Sequence, residues 1–192
     1  MKKYIVLVMG CICLLVLNGC ANSSSPLTKH WSHVVQEMGG GKTILDIDHT
    51  HAFGPAGINL RIMQFKLSDA GARQLRSEGV QFLENLSSVR NFTRNPLLSK
   101  MYMWYRETKP FDTWNETPML GGNGQQLTIE HLLDADRPSA QEALRELPAE
   151  VYTQLKEIIS TSGAYYSYGG AWGRDLLIVS PDHKMIFRIY KG

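Results

Sequence analysis

Cysteine is almost missing from this chain. Three occur in 192 residues, at Cys11, Cys13 and Cys20, and none follows position 20. Everything beyond that point therefore lacks a disulfide scaffold, a cysteine-ligated zinc and a cysteine nucleophile. An excess of charge is missing too. Twenty Lys and Arg stand against eighteen Asp and Glu, and the formal charge of +2 comes from Lys2 and Lys3 at the extreme start. Without a basic stripe there is no electrostatic footprint for nucleic acid. There is no internal repeat, no long charge block and no low-complexity tract. Long apolar runs are confined to one place, Tyr4 to Leu17.

That run of about fourteen residues is too short for a helix across a bilayer core, which needs roughly twenty. Preceded by two lysines and closed by small residues, it reads as the apolar region of a secretory leader. Its end, Leu17-Asn18-Gly19-Cys20, resembles the lipobox of bacterial lipoproteins. The resemblance covers the leader alone. It implies a signal peptide over 1–19, diacylglycerol and an N-terminal acyl chain such as palmitate on Cys20, and a lipidated tether over 20–26. Two or more acyl chains anchor a protein stably where one does not. Ala21 stands where lipoproteins retained at the inner membrane often carry aspartate, which implies the outer membrane, with the domain facing the periplasm. The membrane partner is thus reached through lipid.

Residues 27–192 are expected to form a single α+β domain: an antiparallel sheet built from an N-terminal and a C-terminal hairpin, with several helices between them. Leu27 to Met38 has helical character and is stopped by Gly39-Gly40-Gly41. Thr43–His49 and Ile58–Lys66 predict a hairpin. Ser68 reads as an N-cap ahead of Ala72, Leu75, Gly79, Phe82 and Leu86 at helical spacing. Ser139 and Glu142 have the spacing of a capping box. Pro148 begins a helix running to about Ser160, closed by Gly163. The last hairpin is Asp175–Val179 and Met185–Tyr190, turning at Ser180 to His183.

Two chemistries compete in Gly39 to His51. A phosphate-binding loop needs G-x-x-x-x-G-K-[ST] leading from a strand into a helix. Position 36 is Gln36, and the order is reversed, helix before and strand after, so no nucleotide is expected. His49 and His51, two apart on an extended chain, share a face and are the candidate metal ligands, while Asp46 and Asp48 project the other way. His131 and His183 are isolated. Tyr166-Ser167-Tyr168-Gly169 matches only the second half of a G-x-S-x-G elbow, because Tyr165 holds the first glycine position.

The aromatic clusters remain. Met101 to Tyr105 alternates like a core strand. Tyr165, Tyr166, Tyr168 and Trp172, set among glycines, are expected on a loop as a partner-binding surface, since Tyr and Trp dominate binding hot spots. The expectation is an outer-membrane-anchored lipoprotein with a non-catalytic role in the cell envelope: protein binding, assembly, or inhibition of the immunity type. It needs no cofactor, and its partner is an envelope or incoming protein. A metal-dependent periplasmic enzyme using His49 and His51 is the alternative, and a small-molecule carrier is the second.

Overall fold

In the computed structural model, residues 26–49, 60–89, 113–169 and 175–191 are described. The chain divides into two units, Met1–Ser32 and His33–Gly192. Of the first, the start of helix α1 (Pro26–Glu37) is described; the second holds the whole sheet. The expected sites at Cys20, His51 and Trp172 lie outside the described residues, as does the Met101–Tyr105 segment.

The second unit is α+β. Strands β1 (Gly40–His49), β2 (Leu60–Leu67), β3 (Asn115–Glu116), β4 (Tyr165–Gly169), β5 (Asp175–Ser180) and β6 (Met185–Lys191) form one sheet. Its order is β1-β2-β6-β5-β4-β3, every neighbour antiparallel. The N-terminal and C-terminal hairpins meet where β2 pairs with β6, Ile62 opposite Ile189. Strand β1 begins at Gly40, earlier than the expected Thr43, because Gly40 and Gly41 join the strand instead of only stopping the helix. The expected start of β2 at Ile58 lies outside the described residues, and the remaining limits hold to within about one residue.

Period-two alternation divides the sheet's side chains between two cores. Leu60, Ile62, Leu176, Ile178, Phe187 and Ile189 point to one face. They pack beneath α4 (Ile129–Leu133), α5 (Pro138–Glu146) and α6 (Ala149–Ser160), whose inward residues include Leu133, Ala143, Leu155 and Ile158. Leu67, Leu177, Val179 and Ile186 point the other way. Here α2 (Asp69–Glu78) and α3 (Val80–Asn85) supply Ala72, Leu75, Phe82 and Leu83, the end of α1 supplies Val34 and Val35, and Met38 follows in the turn after it. The approach is close: a Cβ on Gly71 would stand 2.1 Å from the Met38 carbonyl oxygen. Strand β5 is buried along its whole length, which is why Leu176-Leu177-Ile178-Val179 reads as a continuous apolar run.

Most helix ends follow local chemistry, but Pro148, expected at the first position of α6, is its N-cap, and Thr161 rather than Gly163 is its C-cap. Gly39 turns the chain at φ +76°, and its N–H donates to Gln36. The Ser68 hydroxyl accepts the Gly71 N–H at 3.0 Å, as a capping residue should. The expected single helix after it is two, because Gly79 at φ +59° ends α2 and starts α3. Ser139 departs as well. Helix α5 starts before Ser139, with Pro138 at its first position and Arg137 as N-cap, so no capping box forms. Proline's fixed φ and missing N–H suit it to that position, and they outrank the serine.

The turn between β5 and β6 is held from both helical layers. Arg76 of α2 donates to Asp182 Oδ1 at 2.9 Å and to the Pro181 carbonyl at 2.8 Å, while Lys184 meets Asp69 at 2.7 Å. From the other layer, Glu157 of α6 lies 3.5 Å from His183 Nε2.

Candidate functional site

His49 ends β1 against α5. Its Nδ1 lies 3.5 Å from Glu142 Oε2 and its Nε2 lies 3.3 Å from Glu146 Oε2, with 12 % of the side chain exposed. Glu142 and Glu146 are one turn apart on α5, so they present side by side, one carboxylate near each ring nitrogen. This geometry joins the strand to the helix. Among the described residues, no group of three or more His, Cys, Asp or Glu side chains is placed to hold a metal ion. Asp46 and Asp48 do project away, as expected, and both engage Arg61 on β2: Asp46 accepts from Nε and Nη2 at 2.8 and 2.7 Å. His131 and His183 serve local structure. His131 donates its backbone N–H to the Thr128 hydroxyl at the start of α4, and His183 donates its own to Ser180.

The C-terminal aromatics need correction. Tyr165 to Gly169 is not a loop; it is strand β4, paired on both sides with β3 and β5. Ser167 is fully buried in mid-strand, so no nucleophile elbow exists there. Tyr166 and Tyr168 pack against the main core, their rings edge to face at 6.0 Å. Tyr165 points to the opposite face, where its hydroxyl would lie 3.3 Å from a Cβ on Gly79. Burial pushes the phenols of Tyr165 and Tyr168 above the ordinary tyrosine value. Glycine at 169 ends the strand, and apolar neighbours on β5 made the ladder the better use of these rings.

A different feature carries free recognition groups. Residues Met119 to Leu127 form a small hairpin, closed by Gly121 N–H to Gln125 O at 2.8 Å and Leu127 N–H to Met119 O at 2.9 Å. Leu120 and Gln126 face each other across it without bonding to each other. In such a pair the side chains stand together on one face, and the backbone groups turn outward. Leu120 is 53 % exposed, one of the two large apolar side chains so exposed among the described residues. Beside the hairpin, a groove of about 430 Å³ runs between Gln126 to Glu130 and the outer face of α6, where Tyr152, Lys156 and Ser160 follow at successive turns. The Tyr152 hydroxyl donates to Glu130 at 2.6 Å and holds that carboxyl below its ordinary range, helped by the Glu130 N–H and the Thr128 hydroxyl. The same contact pushes the Tyr152 phenol up. The charge of Lys156 adds a smaller lowering effect on the Glu130 carboxyl.

Sequence reasoning passes over this groove because its residues are far apart in the chain. Two signals point to it: Asn123-Gly124, a strong hairpin-turn dipeptide, and Tyr152, Lys156 and Ser160 at four-residue spacing. No family model matches the chain, and neither a curated protein nor a solved structure resembles it.

Proposed function

We propose that this protein is a lipoprotein of the bacterial outer membrane, held by acyl chains on Cys20, whose α+β domain faces the periplasm and binds another protein without catalysing a reaction. Assembly factors, inhibitors and immunity proteins share that description. The leader carries the reading: two lysines, a short apolar run and Leu17-Asn18-Gly19-Cys20 precede a polar stretch, Asn22 to Pro26, that leads into α1. Support for a binding role comes from exposed Leu120 on a glycine-bearing hairpin tip next to the groove along α6. Exposed loops on a rigid scaffold are where recognition groups concentrate. With Tyr166 and Tyr168 occupied in the core, the contact surface belongs at this groove.

Metabolic labelling with a fatty-acid analogue tests the anchor. Wild-type chain is expected to label and to fractionate with the outer membrane, and Cys20→Ser to do neither. Equal labelling of the two would overturn the lipoprotein reading.

A further inference from the structure

We infer that Asn123, at the tip of the Met119–Leu127 hairpin, is a site of self-modification. Its side-chain amide closes onto the Gly124 nitrogen, ammonia leaves, and water opens the resulting succinimide to aspartate or isoaspartate. The reaction stands apart from the protein-binding reading and needs no partner.

Three observations converge. The first concerns the attacking nitrogen. Ring closure brings the backbone nitrogen of the next residue onto the asparagine Cγ, and a side chain on that residue stands in the way. Here that residue is glycine. A Cβ on Gly124 would meet nothing within 4 Å, and a glycine at φ +75° is free to leave that conformation. Asn123, Gly124 and Gln125 are all exposed. The Gly124 N–H donates to the Gly121 carbonyl at 2.9 Å, and the ring closes only when that bond opens. Losing one exposed backbone bond of ordinary net strength slows a reaction by roughly tenfold at most.

The second observation concerns the carbon under attack. The Gln125 N–H donates to Asn123 Oδ1 at 3.0 Å. That donor polarises the side-chain carbonyl and stands where the oxygen turns negative as nitrogen adds to Cγ. Gln125 Oε1 accepts from Asn123 Nδ2, also at 3.0 Å, so one residue holds both the carbonyl oxygen and the departing nitrogen.

The third is a contrast within the molecule. Asn85 and Asn115 are exposed as well, so exposure alone does not single out Asn123. After Asn85 comes Leu86, buried, with its N–H donating to the Leu83 carbonyl. After Asn115 comes Glu116, held in β3 opposite Tyr165, and the Asn115 amide donates to the Thr113 carbonyl at 2.8 Å. At both places a side chain crowds the nitrogen that would attack.

The chemistry balances with water alone. The Gly124 nitrogen gives its proton to solvent and bonds to Cγ, and Nδ2 takes a proton from solvent and departs as ammonia. Water adding at Cγ breaks the new bond and leaves aspartate. Water adding at the Asn123 main-chain carbonyl breaks the original peptide bond and leaves isoaspartate, with the chain running through the former side chain. Either product places a negative charge on a neutral tip and removes the Nδ2 bond to Gln125. Isoaspartate also lengthens the main chain between Gly121 and Gln125, whose bond closes the hairpin.

The test incubates the full-length protein in detergent at mildly alkaline pH, beside a free peptide spanning Leu120–Gln126. Peptide mapping by mass spectrometry follows the gain of one mass unit at each asparagine. Asn123 in the folded protein is expected to convert within about tenfold of the peptide's rate, the cost of the one bond that must open. Isoaspartate should exceed aspartate, while Asn85 and Asn115 in the same samples stay unchanged. Asn123→Gln, whose longer side chain would have to close a larger ring, should show no conversion and an unchanged melting temperature. Conversion more than about tenfold slower than in the peptide overturns the proposal. So does Asn115 converting as fast as Asn123, or aspartate as the sole product, which marks direct hydrolysis without a ring.

Discussion

Asp175 and Arg188 form an ion pair inside the sheet, and removing one member should cost far more than a surface pair does. Arg188 lies mid-way along β6, opposite Leu177 on β5 and Met63 on β2, so Asp175 is its diagonal neighbour. Both its Nε and Nη2 reach Asp175 Oδ1, at 2.9 and 2.8 Å, and the guanidinium carbon lies 6.0 Å from the Tyr190 ring centre. Side-chain exposure is 11 % for Arg188 and 4 % for Asp175. Asp175→Ala leaves a guanidinium in that dry setting, and breaking a buried pair in this way costs about 3–5 kcal/mol. For a domain of this size each kcal/mol moves the midpoint by about 2–4 °C, so the melting temperature should fall by about 6–20 °C. Replacing both members with apolar residues of similar volume, Asp175→Leu with Arg188→Met, removes the stranded charge and should recover most of the loss. Urea unfolding of wild type, both single variants and the double variant completes the cycle, with an unchanged m-value showing that the states compared are the same. A loss below about 1 kcal/mol for Asp175→Ala, the range of exposed pairs, would refute the reasoning.

Two further outcomes are expected. Burial raises the Glu37 carboxyl, but bonds from the Ser87 hydroxyl and from the Ser88 N–H and hydroxyl outweigh it and hold the group below its ordinary range. A depressed folded value means stability that is present above the unfolded pKa and lost as pH falls through the folded one. Wild type should therefore lose stability between about pH 5 and pH 3 more steeply than Glu37→Gln, as read from melting temperature against pH; parallel curves would remove this role from Glu37. For the histidines, His49→Ala with His51→Ala should cost about 1 kcal/mol or less, because Glu142 and Glu146 are more than half exposed and such pairs contribute little. Melting of the wild type should not respond to a chelator. Metal that copurifies with wild type and is lost in the double variant would instead favour the metal-dependent enzyme.

What the sequence discloses here is what local chemistry decides. Gly39 stops a helix whatever surrounds it, because a positive φ suits glycine, and Ser68 caps because its hydroxyl reaches an N–H three residues on. Alternation placed both hairpins for the same reason. Ser139 shows the limit: two local signals overlapped, and Pro138 one residue earlier took the helix start. Tyr165 to Gly169 shows another, since glycines at its end and two adjacent tyrosines obscure the alternation, and only the pairing partners Leu176 to Val179 reveal a strand. The groove was least legible of all. Gln126 and Lys156 are brought together by a hairpin and a helix that no periodicity relates.

A tight turn on a surface hairpin is ordinarily a tolerant point, where a chain can be nicked, lengthened or given new ends. The Pro181–Lys184 turn is the reverse. Arg76 and Asp69 grip it from α2 and Glu157 meets it from α6, so it buckles the two helical layers to the sheet between them. A circular permutant opened there would release a tie on each face at once. Gly122, with open space around it at the tip of the other hairpin, is where a cut or an inserted tag disturbs no packed neighbour.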